Sequence, residues 1–171
     1  MNYCRAIIAL ISNSIISSNN WFGIFLWNSN NNIISNNNIS SNNYYGIGLW
    51  YSNENIIYLN NFINNTYNAF SYGGNNTWNS KEPITYTYRG STFTNYMGNY
   101  WDDYTGSDAN GDGIGDTPYD SDNYPLIERF ENYFAPAPTP TPSIPEFPAY
   151  SLLIAASSMI ALAFMISRRK K

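Results

Sequence analysis

Residues 23–45 read GIFLWNSNNNIISNNNISSNNYY, and residues 46–68 repeat the pattern as GIGLWYSNENIIYLNNFINNTYN. Identical residues recur at an offset of 23. The matched pairs include Gly23/Gly46, Trp27/Trp50, Ile34/Ile57, Asn37/Asn60 and Tyr44/Tyr67. The same register extends back to Leu10 and fades after Asn68. A period of this length predicts a repeat protein whose units stack on their neighbours.

The composition of the unit predicts strands, because Ile, Tyr, Trp and Asn are poor helix formers. Each unit holds three apolar clusters, exemplified by Ile47 with Leu49, Ile57 and Phe62, and Asn or Ser follows each cluster. Three short strands joined by three turns make one coil of a parallel β-helix, with coils about 4.8 Å apart. Asn suits such coils, because its side-chain amide can hydrogen-bond to the Asn above and below it and its backbone tolerates left-handed turns. A leucine-rich repeat of similar period is the alternative, but its Leu spacing is absent.

The asparagine-rich pattern, over roughly Leu10 to Leu126, resembles the right-handed β-helix repeats of the NosD-like and carbohydrate-binding/sugar-hydrolase families. Repeat and resemblance together predict an all-β fold, a right-handed parallel β-helix of about three coils over residues 1–78. A change of composition at residue 79 predicts an irregular cap over residues 79–134. Within it, Ile84, Tyr86 and Tyr88 alternate with threonines and predict a strand or hairpin.

Charge is distributed unevenly along the chain. Arg5 and Glu54 are the charged residues up to Trp78, whereas nine acidic residues lie between Asp102 and Glu131. We expect no nucleic-acid partner, because no basic surface is available to contact phosphates.

The segment 108–116, DANGDGIGD, predicts a calcium site. Side-chain oxygens at loop positions 1, 3, 5 and 9, with Gly113 at position 6, match the start of an EF-hand-type loop. Tyr119 replaces the expected glutamate at position 12. The predicted ligands are Asp108, Asn110, Asp112, the Ile114 carbonyl, Asp116 and Asp120. The alternative is an acidic surface turn without a metal.

The longer block GNYWDDYTGSDANGDGIGDTPYDSDNYPL, residues 98–126, resembles the segment that follows β-helices in archaeal and bacterial NosD-like surface proteins. The resemblance implies an extracytoplasmic protein and carries a family label of periplasmic copper binding. Copper sites use His, Cys or Met. We do not expect copper here, since His is absent and Met97 is the one Met between Met1 and the apolar C-terminal run.

Two sets of side chains are candidate surface sites. Trp27 with Trp50, and Tyr44 with Tyr67, form aromatic ladders that can stack on sugar rings; the alternative is that they only cover turns. Asn38, Asn64 and Asn75 begin N-glycosylation sequons.

Adjacent carboxylates at Asp102 and Asp103 raise the possibility of glycoside hydrolysis. We expect them to cap turns or support the calcium loop instead, because neighbours on an extended chain point to opposite sides. The sequence thus favours a noncatalytic surface protein that binds glycans or neighbouring surface proteins. The alternative is a fragment of a β-helix polysaccharide hydrolase or lyase whose active site lies upstream.

The C-terminal region predicts membrane attachment. Residues 135–148 form a Pro/Thr spacer that ends in the motif Pro145, Glu146, Phe147. Residues 149–167 are long and apolar enough to span a bilayer as a helix, and the basic tail 168–171 favours the cytoplasmic side. This order resembles the PEF-type C-terminal sorting signals of archaeal surface proteins. The resemblance implies cleavage near the motif and re-anchoring at the cell surface.

Overall fold

The structure is a computed structural model that describes residues 9–134. Its described part is all-β apart from one turn of 3-10 helix at Phe130–Tyr133. The twelve strands are β1 Leu10–Ser12, β2 Ile15–Ser17, β3 Ile24–Trp27, β4 Ile33–Ser35, β5 Asn38–Ser40, β6 Tyr45–Trp50, β7 Ile56–Tyr58, β8 Asn61–Ile63, β9 Tyr67–Tyr72, β10 Ile84–Tyr88, β11 Ser91–Asn95 and β12 Tyr100–Trp101.

Three parallel sheets run along the molecule, and each coil contributes one strand to each sheet. The strand orders are β1-β4-β7, β2-β5-β8-β12 and β3-β6-β9. Strands β1 to β9 therefore form three stacked coils, which confirms the parallel β-helix predicted from the repeat. Strand β12 adds to the second sheet and carries the solenoid into the predicted cap region.

The 23-residue register holds in every pairing among strands β1 to β9 except that of β6 with β9. Ile24 pairs with Ile47, and Trp27 pairs with Trp50. In the next coil Tyr45 pairs with Tyr67, an offset of 22. The predicted pairing of Tyr67 with Tyr44 is therefore wrong in strand register. The corner before β9 is one residue shorter than the corresponding corner before β6.

Two apolar cores hold the described residues together. The first lies inside the coils, where Ile39 stacks on Phe62 and Trp101 stacks on the Phe62 ring at 4.4 Å between centroids. The second packs the antiparallel hairpin β10–β11 against the Asp-rich segment. Gly46 allows the coils to approach, since a Cβ there would lie 2.7 Å from the Asn68 carbonyl oxygen.

Asn13 and Asn36 occupy left-handed corners, with φ of 53° and 57°, as the asparagine content predicts. No described helix in residues 9–134 is long and apolar enough to cross a membrane. The predicted spacer with its Pro145–Phe147 motif, the apolar span 149–167 and the basic tail lie outside the described residues.

Candidate functional site

An internal ladder of buried asparagines links the corners that lead into the second sheet. Asn37 donates from its backbone N–H and from Nδ2 to Asn60 Oδ1, at 3.1 and 2.9 Å. Asn60 repeats both bonds with Asn99 Oδ1, at 3.1 and 3.0 Å. Each Nδ2 also donates to a backbone carbonyl one coil away, as Asn60 does to Ile34 at 2.8 Å. The ladder thus satisfies corner groups that are shielded from water.

Asp122 is the last rung of this ladder. Its Oδ2 accepts from the Asn99 N–H at 2.7 Å, from Asn99 Nδ2 at 3.3 Å and from Trp101 Nε1 at 2.9 Å. Its Oδ1 accepts from the Tyr124 N–H at 3.0 Å. A carboxylate suits this place, because the last rung must accept hydrogen bonds and has no further rung to which it can donate.

Burial raises the pKa of Asp122 to about 6, although the hydrogen bonds from Trp101, Asn99 and Tyr124 pull the value down. The sequence analysis does not single out Asp122. A signal was available, since Asp122 follows Asn99 by the repeat period of 23 residues.

The Asp-rich loop folds around its own backbone. Asp108 accepts from the N–H groups of Asp112 and Gly113, at 3.0 and 2.9 Å. Asn110 Oδ1 accepts from the Asp112 N–H at 3.1 Å, and Asp112 Oδ1 accepts from the Ile114 N–H at 2.8 Å. Gly113 has φ of 87°, so the sharp turn expected at position 6 is present.

The remaining predicted calcium ligands lie around the same loop. Asp116 Oδ2 accepts from Ser107 Oγ at 2.9 Å and from the Ala109 N–H at 2.8 Å, and Asp120 sits at an exposed corner. Within residues 9–134, no group of three or more His, Cys, Asp or Glu side chains is placed to hold a metal ion. The calcium site therefore stays a prediction.

Tyrosines of the second core fix the Asp-rich loop in place. Tyr133 is buried, and its hydroxyl donates to the Gly113 carbonyl at 2.5 Å and accepts from the N–H groups of Ile127 and Glu128 at 3.1 Å. Burial raises the Tyr133 pKa well above its usual range. Tyr86 donates to the Asp112 carbonyl at 2.9 Å. The cap thus holds the loop through the carbonyl groups of Asp112 and Gly113, while the loop carboxylates bond to the loop's own N–H groups.

Eleven aromatic side chains form a connected surface on and beside the outer side of the β3-β6-β9 sheet, here called the aromatic face. They are Trp21, Phe22, Phe25, Trp27, Tyr44, Tyr45, Trp50, Tyr51, Tyr67, Phe70 and Tyr72. Trp27 is 65% exposed and Tyr67 is 53% exposed, so these rings do more than cover the core.

The four predicted sugar-stacking residues all lie on this face. Tyr44 and Tyr67 meet edge to face at 5.8 Å between centroids, despite the shifted strand register. Trp27 meets Phe25 at 6.5 Å, and Trp50 meets Tyr72 at 6.0 Å. Gly48 leaves room in the middle, where the Phe22 ring lies over its backbone. The face is therefore a set of tilted rings rather than a simple stack.

Asp102 and Asp103 converge instead of pointing apart, because the chain turns directly after β12. Both accept from Asn68 Nδ2 at 2.9 Å. Asp102 also accepts from the Asn64 N–H at 2.6 Å, and both Asp103 oxygens accept from the Tyr119 hydroxyl, at 2.8 and 2.9 Å. The expected opposite orientation is wrong, whereas the expected turn-capping contacts are present.

The three sequons differ in accessibility. Asn64 and Asn75 are exposed, and Asn64 lies at a left-handed corner. Asn38 is partly buried on the outer side of β5, beside Phe130 and Glu131. Asn64 and Asn75 are therefore better placed for glycan attachment.

Stacked parallel coils with internal asparagine ladders define a protein of the parallel β-helix class. The chain belongs to the NosD family: the family model described as "Periplasmic copper-binding protein (NosD)" matches residues 3–106. No match was found among curated proteins or among solved structures.

The donor set of this chain does not fit the copper named in the family description. Copper prefers imidazole and soft sulfur ligands. The sequence contains no histidine, and its single cysteine is Cys4. Met97 is fully buried in the second core, so its sulfur packs against apolar groups. No step of a mechanism is therefore assigned to copper.

Proposed function

We propose that this chain is a noncatalytic, extracytoplasmic β-helix protein that binds neutral polysaccharide through its aromatic face. The observation that carries the proposal is the connected set of eleven rings along one sheet, eight of which are exposed. Family membership supports the location, because the family is described as periplasmic.

The chemistry of the face favours a neutral glycan. Sugar rings present C–H groups that pack on aromatic faces, and their hydroxyls bond to polar side chains at the edges. Asn28 is exposed directly after Trp27 and offers such a group. Glu54 is the one charged residue between residues 9 and 78, and it lies at a corner outside the strands. The face therefore offers no charged side chain to pair with an ionic ligand, which favours a neutral one.

A hydrolase is less consistent with the described carboxylates. Asp102 and Asp103 are engaged by Asn68, Asn64 and Tyr119 rather than facing each other across an open cleft. Inverting and retaining glycosidases place two carboxyl groups on opposite sides of the scissile bond.

The full chain in detergent provides the test, by affinity electrophoresis in gels containing neutral polysaccharides. Trp27→Ala and Trp50→Ala are each expected to weaken binding about tenfold or more, as stacking anchors do. Phe134→Ala is the matched control, because Phe134 is 45% exposed and does not belong to the face. Equal retardation of all three variants would exclude the aromatic face as the binding site.

We also propose that the Asp-rich loop binds Ca²⁺. Supporting this, Asp108, Asn110 and Asp112 all accept hydrogen bonds from the short backbone stretch 112–114, so their oxygens surround one turn. Calorimetry of the full chain is expected to show binding that Asp112→Ala weakens. No heat change on addition of Ca²⁺ to the unaltered chain would remove the proposal.

Membrane attachment is the last part of the proposal. Residues 149–167 anchor the chain, or a processed anchor replaces them after cleavage near Pro145 to Phe147. Mass spectrometry of the protein from native membranes distinguishes the two. A C-terminus near residue 147 indicates processing, and an intact Arg168 to Lys171 tail indicates a retained helix.

A further inference from the structure

A groove of about 290 Å³, here called the Asn38 groove, lies beside the outer side of the second sheet. Asn36 and Asn38 of the second coil and Ile15 of the first line one side. Phe130 and Glu131 of the C-terminal turn line the other. Ile15 is 81% exposed, so the groove offers an apolar surface among amide groups.

The neighbouring coil shows what this kind of surface binds. Asn61 pairs in register with Asn38 on the adjacent strand and is fully buried. Its Oδ1 accepts from the Phe130 N–H at 3.0 Å. Its Nδ2 donates to both carboxylate oxygens of Glu131, at 3.0 and 2.8 Å. An asparagine on this sheet thus recognises a backbone N–H and the carboxylate of the next residue.

Asn38 has the same strand position without those partners. Its Oδ1 is shielded from solvent, and no described residue donates a hydrogen bond to it. A buried acceptor without a donor is unfavourable. Asn38 also lines the groove, and a turn of its amide toward the cavity would let a bound donor satisfy this oxygen.

We propose that the Asn38 groove binds an acidic peptide of another protein. A backbone N–H of the peptide donates to Asn38 Oδ1, and the carboxylate of the following Asp or Glu accepts from Asn38 Nδ2. The apolar side chain before the acidic residue packs on Ile15, next to Phe130. This site is separate from the aromatic face, so the two binding proposals are tested independently.

The probe is a fluorescein-labelled peptide with the sequence of residues 129–133, RFENY, acetylated and amidated at its ends. Titration with the full chain in detergent is expected to raise its fluorescence anisotropy to saturation. A peptide with Gln in place of Glu is expected to bind about tenfold more weakly, because the charge-assisted bond is lost.

Asn38→Asp is the decisive variant. It is expected to lose the acidic peptide and to gain affinity for a peptide with Lys in place of Glu. Asn43→Asp is the matched control, since Asn43 is exposed, lies outside the groove and receives the same charge. Two results would overturn the proposal. One is equal binding of the acidic peptide by both variants, and the other is no binding to the unaltered chain at about 1 mM peptide.

Discussion

Asp122 accepts from Asn99 the same two kinds of hydrogen bond that Asn99 accepts from Asn60. In both pairs one side-chain oxygen accepts the backbone N–H and the Nδ2 of the preceding rung. The asparagine ladder therefore ends on an ionisable group that is 1% exposed. The end of the solenoid depends on this carboxylate, because it also holds Trp101 and the turn at Tyr124.

Asp122→Asn is expected to change how stability depends on pH. The pKa of Asp122 is 3.8 for the free side chain and about 6 in the fold, so the folded state keeps a proton that the unfolded state releases. Asp122 contributes most to stability below about pH 4, and this contribution is lost as pH rises to about 6, by roughly 3 kcal/mol. Denaturant unfolding at several pH values measures the difference between the two proteins.

The exposed neighbour Asp120 supplies the control for that experiment. Asp120→Asn is expected to leave the free energy of unfolding nearly unchanged, since Asp120 lies at an exposed left-handed corner that Asn also tolerates. A constant stability difference for Asp122→Asn between about pH 4 and pH 6 would contradict the assigned pKa.

Asn60→Ala is expected to destabilise the fold by about 3 kcal/mol. The substitution leaves the two Asn37 donors without their acceptor inside the solenoid, where water does not replace it, and removes one of the two bonds that Asn99 Oδ1 accepts from residue 60. Asn43→Ala removes the same amide from an exposed position and should cost less than about 0.5 kcal/mol. Urea unfolding of both variants checks the prediction, and similar midpoints would argue against a structural role for the ladder.

Gly98→Ala is expected to displace the Asp122 carboxylate. A Cβ at position 98 would lie 1.9 Å from Asp122 Oδ1, so the side chain must move, at a cost of about 2 kcal/mol or more. The fluorescence of Trp101 should change as well, since its Nε1 loses the carboxylate. Gly90→Asn is the comparison, because position 90 is open and left-handed. An unchanged spectrum and melting temperature for Gly98→Ala would refute the close contact.

Tyr133→Phe tests how the cap holds the Asp-rich loop. Loss of the hydroxyl leaves the Glu128 N–H without its partner, at a cost of about 2 kcal/mol. The Gly113 carbonyl and the Ile127 N–H each lose one bond but still pair with each other at 3.0 Å. Hydrogen exchange at residue 128 should therefore accelerate. Tyr96→Phe is the control, because the Tyr96 hydroxyl makes no hydrogen bond to any described residue. Unchanged exchange in Tyr133→Phe would show that packing alone holds the loop.

Much of the solenoid follows from local sequence. The period of 23 predicts the pairing of Trp27 with Trp50 and the stacking of Asn37 on Asn60, because each coil repeats the same strands and corners. The prediction fails at Tyr67, which pairs with Tyr45. A one-residue deletion at a corner leaves the apolar pattern nearly unchanged, so the sequence does not reveal which strand position it shifts.

The repeat from Gly23 to Asn68 by itself determined a β-helix, since a regular alternation of apolar clusters and asparagines has few ways to bury its apolar side chains. Only the tertiary structure decided how the coils end. Asp122 becomes a ladder rung after a hairpin has interrupted the repeat, and Glu131 returns to Asn61 from 70 residues away. Such contacts depend on the path of the chain through space, which no local period encodes.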